Sequence, residues 1–260
     1  MPKYTISFNA ELPSGISHPI QATSKSSQWA DLQANGATVN LPDEHFKHSK
    51  RVPDEVRCVW QSGQLRKVPR TRVVRNGAIV VLLESPHAHE YSEQFEPIGP
   101  LKNPTSEARL LCFLHRLLSD AESPDDEEER DVVLCNPIQW QTSIFRLLPP
   151  CKQVGLQDAI RNTVWKALWT YKNQHGQFVF QREFIDRLTR YGPCLILNAC
   201  TGGTSKNGPK KLVQELLTAT FRRHPLPRIF RRQPLPLRMV SAHPSAWNSN
   251  TKIEPEPDET

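Results

Sequence analysis

The sequence predicts an α/β fold, with a central, mostly parallel sheet flanked by helices on both faces and an irregular N-terminal extension. Short runs rich in Val, Leu and Ile alternate along the chain with longer segments whose apolar residues recur every three or four positions. The first pattern is typical of buried strands and the second of amphipathic helices, and such alternation favours a parallel sheet. At 260 residues the chain has ample length for a core.

The elements follow in order along the chain. Buried or half-buried apolar runs predict strands at residues 56–60, 78–83, 132–135, 194–197 and 238–240. The residues before the second of these runs suggest a hairpin around Asn76-Gly77. Helical periodicity predicts helices at residues 106–118, with Ser106 as the cap, and at 157–173, 180–191 and 210–221.

Composition limits the class of protein. Residues 1–55 are rich in Ser, Gln, Asn and Pro, so we expect an irregular extension, followed by an α/β domain at 56–250 and a disordered acidic tail at 251–260. No run of about 18 apolar residues occurs, so no membrane span is expected. The N-terminus lacks a basic-then-apolar signal, which favours the cytoplasm. The six cysteines form no CxxC pair, so we expect no metal and no cofactor.

Charge is unevenly distributed. The net charge is +6, yet residues 120–131 hold eight acidic residues and one arginine, as expected of a solvated loop. Residues 221–238 carry six arginines and no acid, and Lys206, Lys210 and Lys211 come shortly before. A localised positive stretch of this kind indicates a polyanionic partner such as DNA.

Polar side chains follow four of the predicted strands. Glu84 comes first, with His87 and His89 close behind it, and the later strands lead to Asn136, Asn198 and His243. Functional groups of open α/β sheets collect outside the carboxyl ends of the strands. We therefore expect these residues to belong to one active site.

The order of these motifs resembles the uracil-DNA glycosylase superfamily, over residues 78–248. Glu84-Ser85-Pro86 matches its first motif, Asn136 the asparagine that reads the base edge, and His243-Pro244-Ser245 its last motif. Phe95 falls near the aromatic residue that stacks on the extruded base, and Trp247 falls at the wedge that fills the vacated stack. The resemblance implies a glycosylase-like fold and a DNA glycosylase that flips a base and leaves an abasic site.

The first motif also departs from that superfamily. Ser85 stands where the best-known branch has a catalytic aspartate, and the nearest acid is Glu84, one position earlier. Branches with a glutamate there often bind a four-iron cluster, but the first cysteine here is Cys58, so no cluster is expected. In that superfamily a bulky residue excludes 5-substituted pyrimidines from the pocket, and this sequence has no identified counterpart of that residue. A modified base, such as a hypermodified phage cytosine removed as antiviral defence, is therefore a substrate hypothesis.

Glycosidic bond cleavage assigns roles to these residues. An oxocarbenium-like sugar requires a carboxylate, supplied by Glu84 or by Glu90, and the departing base requires a donor, His243. Asn136 completes the catalytic set. The expected base-binding residues are Phe95, His87, His89 and Asn198, and the expected DNA-binding residues are Ser245, Trp247, Lys210, Lys211, Arg222, Arg223, Arg231 and Arg232.

Two other functions remain open from the sequence. His87-x-His89-Glu90 offers ligands for a metal-dependent hydrolase, although Pro86 favours a loop there. A non-catalytic DNA-binding module on the same fold would account for the basic stretch alone. For each of the three functions we expect a monomer that does not bind membranes.

Overall fold

A computed structural model gives the backbone of residues 3–11, 17–25, 39–40, 51–69, 72–94, 96–120, 128–142, 156–201, 208–223 and 237–254. Its strands are β1 (Lys3–Glu11), β2 (Ser17–Lys25), β3 (Val39–Asn40), β4 (Glu55–Gln61), β5 (Gln64–Lys67), β6 (Ile79–Leu82), β7 (Arg130–Cys135), β8 (Leu195–Asn198), β9 (Leu237–Val240) and β10 (Ile253–Glu254). Its helices are α1 (Pro104–Asp120), α2 (Leu156–Trp169), α3 (Val179–Tyr191) and α4 (Pro209–Arg223).

The chain divides into two compact units. The first consists of Met1–Val52, Ser85–Ile98 and Ile138–Phe184, and the second of Pro53–Glu84, Gly99–Pro137 and Ile185–Thr260. The sequence predicted instead a boundary near residue 55 and a single domain from there to residue 250. The chain passes between the two units directly after Glu84 and again directly after Pro137.

The second unit contains a seven-stranded sheet in the order β10-β9-β8-β6-β7-β4-β5. The four central strands are parallel, because β6 pairs in parallel with β7 and β8, and β8 pairs in parallel with β9. The outer strands β4, β5 and β10 are antiparallel to their neighbours. This arrangement confirms the predicted α/β class and the mostly parallel centre of the sheet.

Helices cover both faces of this sheet. Alternate residues of a strand point to opposite faces, so Ile79 and Val81 of β6 share a face with Leu197 of β8. They form one core cluster with the leucine stripe of α1, namely Leu110, Leu114, Leu117 and Leu118. Asn198 points to the other face, where its side chain bonds to α4. Both layers therefore follow from the apolar pattern of the sequence.

Helix α1 begins at Pro104, two residues before the predicted cap Ser106. The side-chain oxygen of Asn103 accepts hydrogen bonds from the backbone N–H groups of Thr105, at 3.0 Å, and Ser106, at 3.2 Å. Pro104 occupies the first helical position, where its missing N–H costs nothing. Asn103 is thus the cap, and the prediction of Ser106 was wrong.

The hairpin prediction was also wrong. Strands β4 and β5 form the hairpin, with Ser62 and Gly63 at its tip in the left-handed conformation. Asn76 and Gly77 form a bend that leads into β6, and the Gly77 N–H donates to the carbonyls of Tyr191 and Gly192.

The first unit contains a three-stranded sheet in the order β2-β1-β3. Strand β1 pairs antiparallel with β2 along all nine of its residues and parallel with β3. The sequence predicted an irregular extension here, so this regular pairing is a correction. The same unit has an aromatic core in which the Trp165 and Trp169 rings stack 4.9 Å apart and Trp140 packs edge-on against Phe180.

The C-terminal prediction requires a smaller correction. Ile253 and Glu254 form β10, which pairs with β9 at the edge of the seven-stranded sheet. The expected disordered tail from residue 251 therefore includes four residues that belong to the second unit's fold, and residues 255–260 lie outside the described residues. Within the described part of the chain, no helix has both the length and the apolar character needed to cross a membrane.

Candidate active site

The carboxyl ends of the four parallel strands lie along one edge of the sheet. Glu84 follows β6, Asn136 follows β7, Asn198 ends β8, and His243 comes three residues after β9. In the spatial order β9-β8-β6-β7, β7 lies on one side of β6 and β8 and β9 lie on the other, so the order of successive strands reverses at the β6–β8 pair. A reversal of strand order is where open α/β sheets form their ligand crevice. Glu84 lies at this switch point.

Glu84 and Asn136 are directly connected. The backbone N–H of Glu84 donates to the side-chain oxygen of Asn136 at 3.3 Å, and the N–H of Leu83 donates to the Cys135 carbonyl at 2.9 Å. The Glu84 side chain is only 3 % exposed and Asn136 is equally buried. The first two predicted site residues therefore meet, with little water around the carboxyl group.

His243 follows β9 at the same edge, and its Nδ1 is bonded to Ser245. Its Nδ1 accepts a hydrogen bond from the backbone N–H of Ser245 at 3.3 Å, which caps the tight helical turn Pro244–Ala246. Because Nδ1 accepts, the neutral ring carries its proton on Nε2. Adjacent strands are about 4.8 Å apart, so β9 lies roughly 10 Å from β6. His243 therefore belongs to the same row of strand-end residues as Glu84 and Asn136.

Cys200 is a neighbour of Glu84 that the sequence motifs did not single out. Burial, and then the nearby charge of Glu84, raise the pKa of Cys200 well above its ordinary value, while Lys210 lowers it. A thiol in such surroundings stays protonated and unreactive. It is a small, neutral neighbour of the Glu84 carboxyl group.

Asn198 is engaged within the protein. Its amide nitrogen donates to the Lys210 carbonyl at 3.0 Å and to the Gln214 side-chain oxygen at 3.1 Å. Its side-chain oxygen accepts from the backbone N–H of Cys200 at 3.3 Å. In this structure Asn198 fixes the start of α4 to the end of β8, whereas the sequence predicted a base-binding role.

The loop after His243 is held by α1. Arg109 donates to the carbonyl of Ser245, and Arg116 donates to the carbonyls of Ser249, at 2.9 Å, and Thr251. Ser245 is exposed, and its predicted contact with DNA stays a prediction. The arginines of α1 that stabilise this loop carried no signal in the sequence, because nothing local connects them to a segment about 135 residues away.

Trp247 is not an exposed wedge. Its side chain is 1 % exposed, lies in the core cluster with the leucines of α1, and donates through its indole N–H to the Ala242 carbonyl at 2.8 Å. A side chain buried in this way cannot fill a gap in a DNA stack. The prediction for Trp247 was wrong, because the apolar face of α1 provides a better environment for the indole than solvent.

The segment after Glu84 belongs to the first unit. Ser85 and Thr142 hydroxyls are 2.6 Å apart, and the rings of His87 and His89 lie 4.9 Å apart at 30°. Glu90, the alternative carboxylate, is buried in this unit, where its carbonyl accepts from Ile98. Glu84, Asn136 and His243 thus belong to the second unit and Glu90 belongs to the first; Phe95 lies outside the described residues.

A metal site finds no support among the residues described. No group of three or more His, Cys, Asp or Glu side chains in that part of the chain could hold a metal ion. His87 and His89 are close to each other, but they are joined to no third ligand there. The metal-dependent alternative accordingly has no ligand set in this part of the structure.

The predicted DNA-binding lysines differ from each other. Lys210 is 7 % exposed, and its ammonium donates to the Val240 carbonyl and lies 3.4 Å from Glu254. It is therefore a structural residue, and the prediction that it contacts phosphate was wrong. The Lys211 side chain is 51 % exposed and faces Glu215 one turn away. The side chains of Arg222 and Arg223, and all of Arg231 and Arg232, lie outside the described residues.

Comparison of the chain with protein-family models, with curated proteins and with solved structures gave no match.

Proposed function

We propose that this chain is a DNA glycosylase, an enzyme that flips a modified base out of the strand and hydrolyses its N-glycosidic bond. One observation carries the proposal. The backbone N–H of the buried residue Glu84 donates to the Asn136 side chain at the switch point of a parallel sheet, and His243 follows β9 at the same edge. A carboxylate, an imidazole and an amide are the three groups that this reaction requires.

Glu84 would act on the sugar. Cleavage of an N-glycosidic bond passes through an oxocarbenium-like sugar, which a nearby carboxylate stabilises and which water then attacks. With its side chain 3 % exposed, Glu84 has little competing solvent, so its interaction with a cation is stronger than it would be in water. The same carboxylate would orient the attacking water.

His243 and Asn136 would act on the base. Negative charge grows on the departing base, and a preorganised donor such as the Nε2–H of His243 commonly contributes about 3 kcal/mol at such a position. Hydrogen bonds from the amide of Asn136 would select the base edge, and its tie to the Glu84 backbone would couple recognition to the carboxylate.

The substrate hypothesis concerns the base. Ser85 and the paired histidines that follow Glu84 differ from the residues that restrict the resembled superfamily to uracil, so the first motif shows no block against larger pyrimidine substituents. We propose modified pyrimidines, including hypermodified phage cytosines, as substrates. Basic residues concentrated in 221–238 would bind the phosphates.

The test is a base-release assay with purified protein. Plain DNA, uracil-containing DNA and phage DNA with hydroxymethyl or glucosyl cytosines are incubated with the chain, and abasic sites are scored as alkali-labile breaks. We expect breaks in at least one modified DNA, and a loss of about a thousandfold or more in Glu84→Gln, because general acid–base and electrostatic roles of this size are typical. Breaks in uracil DNA alone would refute the hypermodified-cytosine hypothesis.

Glu128→Gln is the matched control. Glu128 is exposed, lies two residues before the start of β7 at the opposite end of the sheet, and pairs with Arg130. Glu128→Gln removes one negative charge, as Glu84→Gln does, but at a position far along the strand from the site. It should therefore leave activity unchanged. Activity that a chelator abolishes would favour a metal enzyme, and DNA binding without breaks on any substrate would favour a non-catalytic module.

A further inference from the structure

We infer that Arg187, Asp54 and Tyr191 form a buried positioning network that sets the geometry of Asn136 and, through it, of Glu84. None of the three was singled out by the sequence motifs, and all belong to the second unit with Asn136 and Glu84. The contacts of these residues are seen in the structure and do not depend on the proposed function. Their catalytic consequence rests on the proposed function.

Arg187 joins the network to the site. One of its terminal nitrogens donates to both Asp54 oxygens, at 2.7 and 2.6 Å. The other donates to the backbone carbonyl of Asn136 at 2.9 Å and to that of Pro137 at 3.2 Å. The planar guanidinium group thus fixes two consecutive carbonyls at the point where the chain leaves β7.

Tyr191 and Asp54 hold Arg187 in place. The Tyr191 hydroxyl donates to Asp54 at 2.7 Å, one helical turn beyond Arg187 on α3. Burial and the charge of Asp54 raise the pKa of Tyr191, so the phenol keeps the proton that it donates. The side chains of Asp54 and Arg187 are 2 % and 5 % exposed, so the ion pair is almost completely removed from water.

A role in stability alone does not account for this arrangement. Taking two charges out of water costs several kcal/mol, and well-packed apolar residues of similar volume are often equally or more stabilising. What apolar residues cannot do is hold the carbonyls of Asn136 and Pro137 at fixed positions. The Asn136 side-chain oxygen in turn accepts from the Glu84 backbone N–H, so a shift of Asn136 also displaces Glu84.

The principal variant is Asp54→Leu with Arg187→Met and Tyr191→Phe, which removes every member together and leaves no unpaired charge. Arg187→Lys is the second variant, since lysine keeps the ion pair with Asp54 but lacks the planar fork. Arg190→Met, at an exposed position on the same helix, is the control. Each protein is compared with wild type by kcat, by KM and by hydrogen exchange of the Glu84 backbone amide.

A positioning role predicts that the folded triple variant loses about 100-fold in kcat, because misplacement by about 1 Å has effects of this size, while KM changes little. The Glu84 amide should exchange faster in the triple variant and in Arg187→Lys, with other β6 amides unchanged. If the triple variant does not fold, the kcat and the Glu84 amide exchange of Arg187→Lys test the inference in its place.

The inference would be overturned if the variants kept the wild-type kcat and the wild-type exchange rate of the Glu84 amide. It would also be overturned if kcat fell by no more than the fraction of folded protein does. If the wild-type chain releases no base from any DNA, the proposed glycosylase fails. The exchange measurement still supports or overturns the network in that case, since it does not depend on activity.

Discussion

At the scale of single residues, neighbouring positions with the same chemistry have different roles. Lys210 and Lys211 are adjacent at the start of α4, and one helical step of about 100° separates their side chains. The first points into the fold, toward Val240 and Glu254, and the second points to solvent. A basic residue therefore indicates a phosphate contact only if its side chain is free to leave the protein surface.

Trp247 permits a direct test of the corrected role. Trp247→Ala should lower the free energy of unfolding by about 3–5 kcal/mol, as expected for loss of a large buried aromatic side chain. Urea unfolding followed by circular dichroism measures the change. Asn250→Ala, at an exposed position in the same loop, should change the same free energy by less than about 0.5 kcal/mol.

The opposite result has a clear meaning. A Trp247→Ala protein that is as stable as wild type but releases no base from duplex DNA would show that the indole leaves the core to contact DNA. The structure gives the reason to expect otherwise, because the indole N–H is already bonded to the Ala242 carbonyl.

At the scale of elements, the sequence predicts where a helix lies better than it predicts the residues at which the helix begins and ends. Helices α1, α3 and α4 lie within a few residues of their predicted ranges, because their leucine or aromatic stripes persist along the whole helix. The start of α1 was misplaced, since Asn103 and Ser106 are both good caps and only Pro104 at the first position distinguishes them.

The missed strands show a different limit. Residues 4, 6, 8 and 10 of β1 alternate with polar neighbours, so the strand pattern was present in the sequence. Its partner β2 has no such alternation, and pairing between the two determines the sheet. The strand-end residues Glu84 and Asn136 were predicted together because they follow parallel strands, whereas Arg187 contacts Asn136 from a distance of 51 residues.

The Lys210 contacts lead to a prediction for the β9–β10 edge. Lys210→Met should reduce the free energy of unfolding by about 1–3 kcal/mol, because the Val240 carbonyl loses a buried charged donor. Lys211→Met should change it by less than about 0.5 kcal/mol, since its pair with Glu215 is exposed. The two variants are compared by their urea midpoints, provided that the free energy of unfolding depends on urea concentration with the same slope in both. Equal destabilisation by the two variants would contradict a structural role that is specific to Lys210.

At the scale of the whole molecule, many positive charges are already neutralised. Arg72 pairs with the buried Asp131 at 3.0 Å and with Glu129 at 2.6 Å, and Arg75 pairs with both. Hydrogen bonding from Arg72, more than the other nearby arginines, lowers the pKa of Glu129 below its usual value. These arginines add little to the field that a phosphate would meet, so under the proposed function the arginines of 221–238 are expected to supply most of the attraction.

The dependence of DNA binding on salt tests that distribution. Each phosphate contact contributes about 0.9 to the slope of log affinity against log salt concentration on duplex DNA, so Arg231→Ala with Arg232→Ala should reduce the slope by about 1.8. Fluorescence anisotropy with an unmodified duplex between low and moderate salt measures it. Arg66→Ala is the control, because Arg66 is exposed and paired with Glu129, and its slope should equal that of wild type. A wild-type slope in the double variant would place the phosphate contacts elsewhere, since counterion release depends on the number of contacts and not on which base is bound.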